Sequence, residues 1–149
     1  MLVATLGIPG SGKSTWAKQF CEDTGFLRVS SDDLRFMLYG VHDLISPIEF
    51  DLLDVCVCEL LKQHKNVVVD ATNLKKNHRA KWASVARMEG HEFEVKYFDT
   101  PLEKCLLYNE QRFGKSNYVP QESIVKMSEN MEIPTESEGN LITINGQDK

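Results

Sequence analysis

Residues 7–14 read Gly-Ile-Pro-Gly-Ser-Gly-Lys-Ser and match the phosphate-loop pattern G-x-x-x-x-G-K-[ST] at every fixed position. The glycines allow backbone N–H groups to turn inward around phosphates, and the following helix points its positive end at the same anion. Lys13 is placed to reach the β- and γ-phosphates, and the Ser14 hydroxyl to ligate Mg²⁺. The pattern therefore predicts ATP and Mg²⁺ as cofactors. The residues expected to contact the nucleotide are Gly7, Ile8, Pro9, Gly10, Ser11, Gly12, Lys13, Ser14 and Thr15.

Apolar strands alternate with helical segments on either side of this loop. The hydrophobic pattern predicts strands at 2–6, 26–29, 67–70, 93–98 and 141–144, and helices at 13–22, 32–39, 47–63, 77–88, 102–112 and 120–131. This alternation favours an α/β P-loop NTPase or kinase fold, with a central parallel sheet and helices on both faces. The helix after Ser46-Pro47 is apolar on most sides, so we expect it to be well buried. Without repeats or linkers, residues 1–149 are expected to form a single domain.

Composition limits the partners of this chain. The net charge of -5 argues against a long nucleic-acid footprint, because such proteins usually carry a basic face, but it leaves room for a short one. We see no signal-peptide pattern and no apolar run long enough to span a bilayer. The four cysteines show no CxxC spacing, which favours reduced thiols. We therefore expect a cytoplasmic protein without membrane contact, and its oligomeric state stays open.

A pair of carboxylates, Asp32 and Asp33, follows the second predicted strand. Ligands of open α/β sheets bind outside the carboxyl ends of the strands, so a carboxylate here faces the expected crevice. Transfer from ATP needs a group that orients the acceptor hydroxyl and takes its proton, and Asp32 is our candidate for this catalytic base. Arg35, one turn later, could hold an anionic acceptor. Alternatively, either aspartate merely caps the helix, which we favour for Asp33.

Asp70 ends the β-branched run Val67-Val68-Val69. A carboxylate in this position is typical of an acid that holds Mg²⁺ through water. Alternatively, Asp70 caps the turn at Thr72 and Asn73. Both interpretations place its side chain at the carboxyl end of a central strand.

Five stretches of the chain together resemble a known family. They are GIPGSGKSTWA (7–17), SSDDLR (30–35), VVVDATNLKKNHRAKW (67–82), FDTPLEKCLLYNEQR (98–112) and VPQESI (119–124). They resemble the kinase domain of phage-type polynucleotide 5′-kinases, within the zeta-toxin-like group of P-loop kinases, over roughly residues 1–131. The resemblance implies ATP-dependent phosphorylation of a 5′-hydroxyl end of DNA or RNA in nucleic-acid repair. It also implies a helical lid at about residues 102–131, and a separate phosphatase or ligase partner is plausible.

The resemblance also assigns roles to individual positions. It implies that Lys13 and Ser14 bind phosphate and metal, that Asp32 is the general base and that Arg35 lies in the acceptor site. The lid arginine that clamps the transferring phosphate corresponds to Arg112, a second contact to ATP. The residues matching the family's strand-end and helix motifs on the substrate side are Thr72, Asn73 and Arg79. The chain departs from the family at Ser31 and Tyr108, which stand where the family has basic residues, and each change removes or moves a phosphate contact.

Other functions remain open at this point. A basic cluster at 75–87 either receives a nucleic-acid strand or is a solvated helix face. The same catalytic residues would also serve a kinase of a small metabolite or nucleoside. A nucleotide-binding regulatory module is a third possibility, although it would need no acceptor base.

Overall fold

A central sheet of five parallel strands forms the core of the computed structural model, which describes residues 1–40 and 47–145. The strands are β1 (Leu2–Leu6), β2 (Leu27–Ser30), β3 (Val67–Asp70), β4 (Phe93–Asp99) and β5 (Asn140–Asn145). Their order across the sheet is β2-β3-β1-β4-β5, and every pairing is parallel. Ser30 lies opposite Asp70 in the β2–β3 register. The loops after β1, β2 and β3 therefore meet at one edge of the sheet, where ligands bind in such folds.

Six α-helices connect the strands within the described residues. They are α1 (Lys13–Thr24), α2 (Ser31–Tyr39), α3 (Pro47–Lys62), α4 (Lys76–Met88), α5 (Leu102–Glu110) and α6 (Gln121–Asn130), and a short 3₁₀ helix (Glu136–Glu138) precedes β5. The predicted fold class is confirmed, and most boundaries agree within two residues. The predicted start signal at Ser46 lies outside the described residues. Helix α5 ends at Glu110 rather than Arg112, because the chain turns there into a loop.

Helices cover both faces of the sheet, as the alternation of side chains along the strands requires. On one face, α3 and α4 pack against the side chains of Leu2, Ala4, Val67 and Val69. On the other face, Ala17 of α1 packs against Val3 and Val68. Strands β1 and β3 are buried on both faces, which explains why their sequences are continuous apolar runs rather than alternating ones.

Helix α3 is less buried than its sequence predicts. Leu53, Val57 and Leu61 are at most 2% exposed, and their spacing of four residues places them on one face. Val55 is 65% exposed, and Phe50 is 43% exposed. The expectation of burial on most sides was wrong, because the sheet covers one stripe of the helix and the described residues leave much of the remainder open to solvent.

A buried arginine ties the later part of the chain to the sheet. The guanidinium of Arg79 donates to the backbone oxygens of Asn73, Leu74 and Glu132 at 2.9–3.0 Å, and to the Glu138 carboxylate at 2.8 Å. Its side chain is fully buried. These bonds connect α4 to the segment that leads into β5.

Within residues 1–40 and 47–145, no helix combines the length and the apolar character that crossing a bilayer requires.

Candidate active site

The phosphate loop lies between β1 and α1 at one wall of a cavity of about 1010 Å³. Gly10 and Gly12 have φ values of 84° and 94°, which other residues rarely adopt, so the two glycines make the tight path of the loop possible. Lys13 is only 7% exposed, and none of the hydrogen bonds or ion pairs in the described part of the chain involves its ammonium group. A nearly buried ammonium that faces the cavity suits an anionic ligand.

The predicted nucleotide contacts divide into two groups. The residues that line the cavity are Pro9, Gly10, Gly12, Lys13, Ser14 and Thr15. Gly7, Ile8 and Ser11 lie behind them and do not line it. The side chain of Ile8 packs against Cys105 of α5 and Ile124 of α6, which anchors the loop on these two helices. These three residues can support the loop with their backbone, but the side chains of Ile8 and Ser11 do not line the cavity.

Gly10 offers a direct test of the loop. A Cβ atom at this position would overlap the backbone carbonyl of Cys105. We expect Gly10→Ala to destabilise the fold by about 1–3 kcal/mol and to weaken ATP binding at least about tenfold, because strain and overlap both displace the loop. Thermal unfolding and nucleotide-binding calorimetry measure the two effects.

Gly25 supplies the matched control, since its φ of 80° is similar but nothing lies within 4 Å of an added Cβ. Gly25→Ala should cost about 1–2 kcal/mol from backbone strain alone and leave ATP binding unchanged. Equal effects of the two variants on ATP binding would contradict the close approach at Gly10.

Ser14, which lines the cavity, contacts Asp70 behind it. The Ser14 hydroxyl donates to Asp70 Oδ1 at 3.2 Å, and Asp70 is nearly fully buried at the end of β3. None of its described hydrogen bonds goes to the turn at Thr72, which disfavours the capping alternative. A hydroxyl and a carboxylate side by side are the hard oxygen donors that Mg²⁺ prefers, so these two residues fit the ion, directly and through water respectively. Three or more His, Cys, Asp or Glu side chains do not cluster as a metal site in the described ranges.

Arg28 is a cavity residue that the sequence analysis missed. Its Nε and one terminal nitrogen bind Asp70 Oδ2 at 2.8 and 2.7 Å, and its other terminal nitrogen binds Asp33. Burial works against the charged form, but the charges of Asp70 and Asp33 raise the pKa of Arg28 above its ordinary value. The ion pair leaves Asp70 Oδ1 directed toward Ser14. A charged residue inside the apolar strand β2 was the available sequence signal.

The carboxylate predicted as a base lies in the first turn of α2. Ser30 caps this helix, because its hydroxyl accepts from the Asp33 N–H at 3.2 Å. The alternative that Asp32 or Asp33 is the cap is therefore wrong for both. Asp32 is 56% exposed, lines the cavity and accepts from Arg35 at 2.9 Å. Arg35 also donates through Nε to the carboxylate of Glu49 at 2.9 Å, a contact that the sequence did not reveal.

The loop after α5 forms a further part of the cavity wall. The buried side chain of Asn109 closes its base with two hydrogen bonds to the backbone of Val119, at 2.6 and 3.0 Å. Arg112 and Lys115 of this loop line the cavity. Arg112 is half-buried and lies beyond the end of α5, which differs from the alternative of an exposed arginine at the helix terminus. Its contact with a transferring phosphate stays a prediction.

The residues predicted on the substrate side differ in whether they line the cavity. Thr72 is half-buried and lines the cavity. Asn73 also borders it, but its side-chain amide is engaged by the Thr5 carbonyl at 2.7 Å and by the Trp82 indole at 3.0 Å. Arg79 is fully buried and is not among the cavity residues, so its contacts favour a structural role over the predicted contact with substrate.

Much of the basic cluster on α4 is already neutralised. Lys81 pairs with Asp54 at 2.7 Å, Lys75 lies 3.8 Å from Glu132, and Arg79 is buried. Partial burial and the charges of Lys81 and Arg79 lower the pKa of His78, which therefore stays neutral at pH 7. Of this cluster, Lys81 and His78 line the cavity.

A protein family model described as an AAA domain matches residues 2–134. A protein of Autographa californica nuclear polyhedrosis virus, whose name describes a bifunctional polynucleotide kinase/RNA ligase, is 29% identical over 136 residues, covering 80% of this chain and 19% of the viral protein. The bifunctional polynucleotide phosphatase/kinase of Schizosaccharomyces pombe is 29% identical over 118 residues, covering 79% of this chain and 24% of the yeast protein. The chain thus spans about a fifth to a quarter of the length of these relatives.

Solved structures share the fold over most of the chain. A chain of the Pnkp1/Rnl/Hen1 RNA repair complex superposes with a TM-score of 0.74 at 30% identity, covering 87% of this chain and 43% of that chain. Kti12 of Chaetomium thermophilum in complex with ADP-AlF3 superposes with a TM-score of 0.76 at 19% identity, covering 100% of this chain and 91% of that chain. A gluconokinase of Sinorhizobium meliloti superposes with a TM-score of 0.67 at 21% identity, covering 96% of this chain and 81% of that chain. The last two likenesses concern the fold alone.

Proposed function

The chain belongs to the AAA domain family, and from this premise we propose that it is an ATP-dependent kinase that phosphorylates the 5′-hydroxyl end of DNA or RNA. The observation that carries the proposal is the meeting of two groups of residues in one cavity. Lys13 and Ser14 belong to a phosphate loop, and Asp32 with Arg35 stands on α2 across the same space. A protein that only binds and hydrolyses a nucleotide needs no such second group. We therefore disfavour a regulatory nucleotide-binding module.

The donor side of the cavity is suited to the triphosphate. In our proposal the loop N–H groups and Lys13 hold the β- and γ-phosphates, and Ser14 and Asp70 hold the metal ion. Bound Mg²⁺ would neutralise charge on the β- and γ-phosphate oxygens. Arg112 would approach from the lid side and contact the equatorial oxygens of the transferring group, a role that suits the planar guanidinium.

The acceptor side needs a base that acts late. The transition state of phosphoryl transfer is loose, so the acceptor hydroxyl loses its proton only after the phosphoryl group has largely detached. Asp32 is exposed to the cavity, so its carboxylate can orient that hydroxyl and then accept the proton. Arg35 binds Asp32 through one terminal nitrogen, and its positive charge would attract an anionic group of the acceptor. Thr72 borders the same side.

Two observations support a polynucleotide end as the acceptor. Both relatives described above have names that include a polynucleotide kinase activity, and residues 1–131 resemble the polynucleotide 5′-kinase family. The net charge of -5 and the neutralised cluster on α4 suit a footprint of a few nucleotides rather than a long duplex. We further propose that residues 1–149 act as one kinase domain with a lid at about 102–131, in nucleic-acid repair in the cytoplasm, beside a separate phosphatase or ligase.

A small metabolite or nucleoside is the second candidate acceptor. It is favoured by Ser31 and Tyr108, where the resembling family has basic residues, and by the engagement of Lys81 with Asp54. Each feature removes a cation that could bind a phosphate of a nucleic-acid strand. The catalytic roles of Lys13 and Asp32 would be the same for both acceptors.

One transfer assay separates the candidates. The protein is incubated with γ-labelled ATP, Mg²⁺ and 5′-hydroxyl oligonucleotides of DNA and RNA, beside a panel of nucleosides and gluconate. We expect label on oligonucleotide ends, with kcat/KM changing less than about threefold when the acceptor is shortened from about twenty to about six nucleotides. Label confined to nucleosides or gluconate would establish the small-molecule candidate instead. The same oligonucleotides carrying a 5′-phosphate are the matched control and should remain unlabelled.

A further inference from the structure

We infer that Glu49, which belongs to none of the motifs above, is a positioning residue that holds Arg35 and, through it, Asp32. The inference rests on the proposed function for its catalytic consequence, but the contact itself does not depend on the identity of the acceptor. Glu49 lies in the first turn of α3, on a helix that otherwise packs apolar side chains against the sheet.

The three side chains form a continuous line of charge from the core to the cavity. Glu49 is 0% exposed, Arg35 is 11% exposed at its side chain, and Asp32 is 56% exposed. Arg35 donates through Nε to Glu49 Oε1 at 2.9 Å and through a terminal nitrogen to Asp32 Oδ1 at 2.9 Å. The buried end of the line is therefore Glu49, and the end that faces the cavity is the proposed base.

The burial of Glu49 is not explained by stability. Moving a carboxylate out of water costs several kcal/mol, and a buried ion pair often recovers no more than this cost. An apolar residue of similar size on the same helix face would stabilise the fold equally well or better. The ion pair is therefore weak evidence for a role in stability, and the contact of Glu49 with Arg35 supports a positioning role instead.

The planar geometry of the guanidinium explains how Glu49 can position Arg35. Its five donors lie in one plane, so a bond at Nε fixes the orientation of the whole group. With Nε held by Glu49, one terminal nitrogen of Arg35 donates to Asp32 at the cavity. An anionic acceptor would otherwise draw Arg35 away from Asp32. Glu49 anchors the arginine so that it can contact the acceptor and the base together.

The first arm of the test observes Arg35 without any acceptor. The Nε–H signal of Arg35 in a ¹⁵N NMR spectrum, assigned by its absence in Arg35→Lys, should be slow to exchange and rigid in the wild type. In Glu49→Ala and in the isosteric Glu49→Gln it should become mobile and exchange faster, more so in the alanine variant. An equally rigid Arg35 signal in Glu49→Ala, or a mobile one in the wild type, would overturn the inference.

The second arm measures phosphoryl transfer with whichever acceptor the wild type uses. We expect Glu49→Ala to lower kcat by about 10–100-fold, because a displacement of about 1 Å at the reacting groups is enough for such a loss. The Kd for ATP should stay within about twofold, since no donor-side residue contacts Glu49 in the described contacts. Added to Arg35→Ala, the Glu49→Ala change should cost less than about threefold more, because both act through one contact.

Control variants distinguish a failure of the role inferred for Glu49 from a failure of the proposed kinase function. Glu59→Ala removes an exposed glutamate from the same helix and should change neither arm. Glu49→Gln preserves the shape of the side chain, and its melting temperature reports whether folding is intact. If Glu49→Ala lowered kcat by the same factor in the Arg35→Ala background, the inference would be wrong even though transfer to oligonucleotides occurred. If the wild type transferred to no acceptor, the proposed function would fail and the NMR arm alone would decide the role of Glu49.

Discussion

Replacing Asp32 by alanine is expected to lower the rate of phosphoryl transfer by about 10²–10⁴-fold, the usual contribution of a positioned general base. The carboxylate faces the cavity from the first turn of α2, and its partner Arg35 holds it there at 2.9 Å. Asp32 makes no described contact to the phosphate loop. The Kd for ATP should therefore remain within about twofold of the wild-type value, so that the loss appears in kcat.

Single-turnover transfer and nucleotide-binding calorimetry measure these two quantities. Asp23→Ala removes an exposed aspartate at the far end of α1, where it contacts Gln19, and should behave as the wild type in both assays. A variant at Asp32 that transferred at more than half the wild-type rate would exclude it as the base. Loss of ATP binding in that variant would instead indicate that Asp32 supports the phosphate loop.

Arg79→Ala should have the largest effect on stability. The substitution leaves the Glu138 carboxylate without its cation and removes one donor from each of three backbone oxygens, of which Leu74 O keeps the Glu132 N–H. Removing one partner of a buried ion pair costs about 3–5 kcal/mol, which is a large fraction of the stability of a domain of this size. Urea unfolding measures the change. Arg87→Ala, an exposed arginine in the last turn of the same helix, should change the free energy of unfolding by less than about 0.5 kcal/mol.

The same ion pair makes the stability depend on pH. Burial raises the pKa of Glu138, but hydrogen bonds from Arg79 and the Thr135 N–H, with the charges of Arg79 and Lys76, outweigh it and lower the pKa below the ordinary 4.5. A carboxyl with a lowered folded pKa stabilises the protein above its unfolded pKa, and this contribution is lost as the pH falls through the folded pKa. The wild type should therefore lose more stability than Arg79→Ala on acidification below 4.5. Parallel pH curves for the two proteins would show that the pair contributes nothing to acid sensitivity.

The phosphate loop and the order of the elements were predictable because their information is local. Gly10 and Gly12 are required by backbone angles at their own positions, and Lys13 with Ser14 follows at once in the chain. Strands β1 and β3 were predictable for a similar reason, since a parallel strand buried on both faces is a continuous apolar run. The boundary of α5 was harder to predict, because its last turn is replaced by a loop whose base is closed by Asn109 and Val119.

The residues that sequence analysis missed act across the fold. Arg28 and Asp70 are 42 positions apart and meet because β2 and β3 are neighbours in the sheet. Arg79 illustrates the opposite case, since its place in a motif suggested contact with substrate, while its burial beside Glu138 makes it a structural residue. A motif specifies which residue types occur together, but it does not specify which of them face the cavity.

The amino-acid sequence alone was sufficient for the fold class and the phosphate loop, because short-range backbone geometry and the periodicity of apolar residues determine these features. The roles of Asp32 and Arg35 remain predictions from the sequence. The caps and partners of those residues needed the tertiary structure. Ser30 rather than an aspartate caps α2, and Glu49 binds Arg35. Arg28 binds one carboxylate oxygen of Asp70 and Ser14 binds the other. Such contacts join residues from different elements, and their energies depend on burial and distance, which exist only after the sheet and its helices have packed.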